Sequence, residues 1–158
     1  MRFLAGLAML SSLVTTSCSQ PAQSGCAEGY VSASEAWVRV TRAGQNMSAA
    51  YLRLCNGADV SDRLVAVSFD GAAAAEIHTT SVSEKGVASM APVEGGLELP
   101  PGQMIVLEPG GAHIMLIGVA EPLAEGEIQS LTLQFENAEP LTVPFAVRSS
   151  QDAAHSAH

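Results

Sequence analysis

Along much of the chain apolar and polar residues alternate one for one, the period of a strand with one face buried. Leu131, Leu133 and Phe135 interleave with Ser130, Thr132 and Gln134, and Leu141, Val143, Phe145 and Val147 continue the pattern. Further strands are expected over 36–40, 49–55, 64–69, 76–82, 87–93, 104–107 and 113–119. Pro144 marks its strand as an edge or a bulge, because proline has no N–H to give a ladder. Turn chemistry separates the segments at Asn56-Gly57, Asp70-Gly71, Gly95-Gly96, Pro100-Pro101-Gly102, Pro109-Gly110-Gly111 and Glu125-Gly126. The short alanine run 72–75 is expected to form one turn of helix, and no window sustains a long amphipathic one. Many short strands at this spacing predict an all-β sandwich or barrel, and 158 residues suit a single domain.

The two ends stand apart from this pattern. Arg2 precedes an apolar run from Phe3 to Val14, followed by the small residues Thr15, Thr16 and Ser17 and then Cys18. A positive start, a short hydrophobic stretch and small residues predict an export signal over 1–17. The stretch is too short to stay in a bilayer as a spanning helix. Its junction resembles the lipobox of bacterial lipoproteins, in which the cysteine becomes the lipid-modified first residue; ordinary signal cleavage nearby is the alternative. This predicts a membrane-anchored protein of the bacterial periplasm, tethered through Cys18. A polar tether is expected over 18–30 and a disordered tail over 149–158, where His155 and His158 lie.

Cysteine arithmetic fits a lipid anchor. Of three cysteines, Cys18 would carry lipid, leaving Cys26 and Cys55 to pair in an oxidising compartment. Two free buried thiols are the alternative. Charge narrows the partners: seven basic against sixteen acidic residues give a net −9. Nucleic acid is gripped by clustered Lys and Arg, so this composition excludes it.

No catalytic motif is present: no zinc-protease histidine pair, no glycine-rich phosphate loop, no nucleophile elbow. The chain does not read as an enzyme. What remains is a set of soft and borderline metal donors. In a strand, His113 and Met115 project from one face while Ile114 points to the other. An imidazole and a thioether two residues apart can therefore bind one ion. His78 and Met90 complete a set of two His and two Met. Thioether sulfur is soft and neutral, so this set favours Cu(I) over Cu(II) or Zn(II). Methionine is not lost to a disulfide outside the cytoplasm and needs no deprotonation, so only the histidines make binding pH-dependent. Each donor also has a packing interpretation: Met90 as core filler, His78 as a satisfied, partly buried side chain. Met104 and Met47 read as core or surface, with Met47 a reserve ligand, and the tail histidines are a weak candidate site for Cu(II) against the reading of a solvated tail.

At this point the sequence resembles the PCuAC family of periplasmic copper(I) chaperones, over about 35–147. The resemblance rests on Ala36-Trp37-Val38-Arg39, Ala49-Ala50-Tyr51-Leu52-Arg53-Leu54-Cys55-Asn56, Asp62-Arg63-Leu64-Val65, Glu76-Ile77-His78 and Met90-Ala91-Pro92-Val93. Its strongest block is Pro109-Gly110-Gly111-Ala112-His113-Ile114-Met115-Leu116, followed by 122–126 and 131–135. It implies a cupredoxin-like β fold for a copper-chaperone domain over 31–148, with His78, Met90, His113 and Met115 as ligands. It further implies copper supply to the dinuclear copper centre of cytochrome c oxidase. The partners expected are that oxidase's copper subunit or a thioredoxin-fold copper chaperone. Sequestration of surplus copper and a copper redox protein are the competing functions, with a metal-free immunoglobulin-like domain as a third.

Overall fold

The computed structural model describes residues 26–149. Ten strands run in chain order: β1 (Val31–Arg39), β2 (Met47–Asn56), β3 (Asp62–Ser68), β4 (Ala72–Val82) and β5 (Ala88–Pro92), then β6 (Leu97–Leu99), β7 (Met104–Leu107), β8 (Ala112–Val119), β9 (Ile128–Phe135) and β10 (Leu141–Arg148). No helix occurs among the described residues. The strands are hydrogen-bonded in the order β5-β4-β8-β2-β1-β10-β9-β3-β6, with β7 added beside β2. Strand β2 is the hinge of this arrangement: Met47–Ala50 ladder with β8, and Leu52–Cys55 ladder with β7. One core lies inside, where Leu54, Leu64, Ile114, Leu116, Leu133 and Phe145 come from five different strands and are all fully buried. Alternation in the sequence thus becomes an inner apolar face and an outer face that is free for other uses.

Three expectations are corrected, and one short strand is added. The alanines at 72–75 are the start of β4, paired with β8 through Ala72↔Val119, Ala74↔Ile117 and Ala75↔Leu116. Four residues cannot nucleate a helix unaided, whereas a neighbouring strand offers a complete ladder. Strand β1 begins at Val31 and passes a register shift between Ser34 and Trp37, with Glu35 at φ 51°; that bulge hides the period of two. Pro144 is not on a sheet edge, since β10 lies between β1 and β9. The β1 ladder starts only at Ala146, so Pro144 stands where one side of β10 has no strand partner. Strand β6 is three residues long, too short to show a period.

The tether expected over 18–30 is held from Cys26 onward, where a disulfide joins Cys26 to Cys55 on β2 (Cα–Cα 5.2 Å). Gly29 N–H donates to the Gly57 carbonyl at 2.7 Å, and Gly57 N–H donates to the Tyr30 carbonyl at 3.0 Å. A Cβ at position 57 would collide with the Ala27 carbonyl, so the turn at Asn56-Gly57 requires glycine. The expected signal, Cys18, and the tail histidines lie outside the described residues.

Asp62, in one of the blocks behind the family resemblance, has a structural task. Its carboxylate accepts from the backbone N–H groups of Arg63 (2.7 Å), Asn137 (3.0 Å) and Ala138 (2.8 Å), closing the β9–β10 turn onto β3. Burial alone would raise its pKa, but these backbone donors, with the Asn137 amide, together hold it below the ordinary carboxylate value. The stability it adds is present above the unfolded pKa and is lost as pH falls through the lowered folded one. Asp62→Asn is expected to cost about 2–3 kcal/mol at neutral pH, because an amide cannot accept from all three donors. The variant should also lose stability less steeply than wild type during acid unfolding, as followed by circular dichroism.

Candidate metal centre

Four strands bring the outer-face donors together. On β8, Ile114 and Leu116 are fully buried in the core, so His113 and Met115 project from the opposite face. On β4, Ile77 takes the core position, which turns Glu76 and His78 to the same outer face. Antiparallel register then sets His78 directly opposite His113 and Glu76 directly opposite Met115. Directly opposed residues have Cβ atoms about 5 Å apart. The two imidazole rings follow suit, with centroids 6.1 Å apart and planes inclined at 49°.

Each ring is oriented by a different neighbour. Before β8, Glu108-Pro109-Gly110-Gly111 forms a turn closed by Gly111 N–H donating to the Glu108 carbonyl at 3.0 Å, with Gly110 at φ 85°. Proline second and a left-handed glycine third are the demands of a type II turn. The turn presents the Gly111 carbonyl to His113 Nδ1 at 3.0 Å. A carbonyl only accepts, so Nδ1 carries the hydrogen and the Nε2 lone pair is left outward. His78 is oriented the other way round: its Nε2 lies 2.9 Å from Glu76 Oε2, and its Nδ1 is buried without a hydrogen-bond partner. An orphaned buried nitrogen is uncommon in a folded protein. Here it belongs to a ring that faces a second imidazole.

The thioethers flank this pair. Met115 is half-buried, between Glu76 on β4 and Ala49 on β2. Met90, 52% exposed, pairs with Thr80 on the edge strand β5, while His78 pairs with Pro92. Thr80 and His78 share a face of β4, so Met90 stands on the outer face diagonal to His78, about 7–8 Å away between strands and within reach of a long side chain. Met47, 50% exposed, pairs with Ile117 and so lies one step beyond Met115 on that face. Met104 does not join the group; the Arg53 guanidinium reaches its sulfur at 3.9 Å, on β7. On the other side the row is walled by aromatic rings: Tyr51 lies 6.3 Å from His113, and Trp37 lies 4.4 Å from Tyr51. Burial pushes the Tyr51 phenol above its ordinary pKa, against a smaller opposing effect of the Arg39 guanidinium, so the wall carries no negative charge near neutrality.

Among the described residues no group of three or more His, Cys, Asp and Glu side chains is arranged to hold a metal. A site at this place would therefore draw on donors of another kind, which the neighbouring methionines can supply. Among the described residues no free cysteine is available, since Cys26 and Cys55 are joined to each other. The residue that the sequence did not nominate is Glu76. Its only signal is a carboxylate two positions before His78, which on a strand means the same face.

The chain is similar to several known proteins. Over residues 31–147 the chain matches the family model described as "Putative lipoprotein LpqE-like". A curated relative, "Putative lipoprotein Lxx21020" of Leifsonia xyli subsp. xyli, is 34% identical over 116 residues, covering 72% of this chain and 68% of that protein. Among solved structures, the copper-bound PCuAC domain from PmoF2 superposes with a TM-score of 0.65 at 26% identity, covering 79% of this chain and 97% of that domain. The CuI-DR1885 solution structure from Deinococcus radiodurans gives 0.57 at 27% identity, covering 73% and 78%. The fold is thus the cupredoxin-like β-sandwich of PCuAC domains, while the matching family model is LpqE-like rather than PCuAC itself. This chain belongs to the LpqE-like lipoprotein family.

Proposed function

We propose that the protein is an extracytoplasmic Cu(I)-binding metallochaperone that holds copper through His78, Met90, His113 and Met115. The observation that carries this reading is the opposed imidazole pair of His78 and His113, with the buried Nδ1 of His78 left without a hydrogen-bond partner. Two neutral nitrogens and two thioethers suit a soft monocation and neutralise a divalent ion poorly. Copper-bound PCuAC domains among the structural neighbours support the same assignment. Met90, half exposed on an edge strand, gives an acceptor an accessible ligand to displace, as delivery requires. The proposed destination is the dinuclear copper site of cytochrome c oxidase, directly or through a thioredoxin-fold carrier. Lipid on Cys18 would keep the protein at the membrane. A blue-copper electron carrier needs a thiolate ligand, and the disulfide leaves none among the described residues.

The test is a competitive Cu(I) titration of the mature protein against a chromophoric chelator. Uptake of one ion per chain is expected, and no uptake refutes the reading. Met90→Leu, which keeps the bulk and removes the donor, is expected to weaken binding about tenfold, or ~1.4 kcal/mol. An unchanged affinity would remove Met90 from the ligand set. Added Cu(II) should give no intense blue absorption.

A further inference from the structure

We infer that Glu76 is the positioning residue of the candidate copper site: it holds the Nε2–H of His78 and so presents Nδ1 to the metal. This rests on the copper reading given above. The two residues alternate along β4 with Ile77 between them in the core, which fixes both side chains on the outer face. The carboxylate oxygen lies 2.9 Å from Nε2. An ionised carboxylate only accepts, so in the neutral ring Nε2 is the protonated nitrogen and Nδ1 keeps its lone pair. That lone pair is the buried atom without a partner. In His113 the roles are reversed, with Nδ1 held by the Gly111 carbonyl. The two imidazoles therefore meet one ion through different nitrogens, Nδ1 of His78 and Nε2 of His113.

The hydrogen bond does this work because it selects one of two nearly equivalent tautomers. Without an acceptor at Nε2, the neutral ring divides between the two forms, and one of them has no lone pair at Nδ1. Outer partners of this kind typically change metal affinity by about 10–100-fold when removed. Glu76 also stands directly opposite Met115, so one carboxylate lies beside both a nitrogen and a sulfur donor.

The test begins without metal. Long-range proton–nitrogen correlation spectra of the apo protein are expected to show His78 as the Nε2–H tautomer. Glu76→Ala should give a mixture of tautomers, and Glu76→Gln, whose amide oxygen accepts the same hydrogen, should restore Nε2–H. In Cu(I) competition, Glu76→Ala should lose about 10–100-fold in affinity and Glu76→Gln should recover most of it. On loading the wild type, the nitrogen resonances that move should be Nδ1 of His78 and Nε2 of His113. The inference is overturned by an Nδ1–H tautomer in wild type, or by an unchanged tautomer in Glu76→Ala. It is equally overturned if Glu76→Gln keeps the tautomer yet binds as weakly as Glu76→Ala. Correct tautomers in a protein that takes up no Cu(I) would instead refute the copper reading and leave the Glu76–His78 pairing standing.

Discussion

Replacing His113 and Met115 together by alanine is expected to lower Cu(I) affinity at least about a thousandfold, on the order of 4 kcal/mol. In the proposed site these residues supply one nitrogen and one sulfur from a single strand, and their loss leaves only His78 and the half-exposed Met90. Two donors on different strands hold an ion far more weakly than four. The fold should survive, because Ile114 and Leu116, between and after the two substitutions, hold β8 to the core from its other face. Near-wild-type circular dichroism with lost competition against a chelator is the expected pair of results. Unchanged affinity would show that the opposed imidazoles do not form the site. Loss of the folded signal would show that His113, only 4% exposed, is chiefly a packing residue.

The second large effect concerns the disulfide. Cys26 and Cys55 are 29 positions apart in sequence, and closing a loop of that size stabilises a fold by about 3–4 kcal/mol in the chain-entropy model. The double variant Cys26→Ala/Cys55→Ala is expected to melt roughly 10–15 °C lower than wild type. Copper affinity at 25 °C should be unchanged. Cys55 faces Met104 of β7, whereas the candidate centre meets β2 near Ala49, at the other end of the strand. A melting temperature equal to that of wild type would show that the crosslink does not constrain the domain. A parallel loss of copper would show that the two ends of β2 are coupled.

Much of this was legible in the residue pattern, for physical reasons that differ from place to place. Strands β9 and β10 alternate cleanly because each has one face in the core and one outside. His113-Ile114-Met115 was legible in the same way, since an apolar residue between two donors on a strand states which way all three point. Strand β4 was only half visible. Alanine carries little periodic signal, so the segment from Ala72 was settled by its ladder with β8, a contact between residues about forty positions apart. The opposition of His78 and His113 was hidden for the same reason, because register between distant strands is not written in local spacing. Glu76 does not stand out in the sequence, because a lone carboxylate on a strand is ordinarily a solvated side chain. What distinguishes it is the 2.9 Å contact with His78, which appears only once both rotamers are known. Asp62 is the converse case: a residue in a motif block whose work, three backbone hydrogen bonds, is to hold a turn.

Alternation along β4 and β8 also separates two kinds of inheritance. Inward positions such as Ile77, Ile114 and Leu116 answer to folding, while their immediate neighbours include donors of the proposed copper site. Lineages can therefore exchange the outward side chains without rebuilding the architecture. A cousin that kept the apolar register and traded away the imidazoles would retain this shape as an empty scaffold, ready for a different ion or for none.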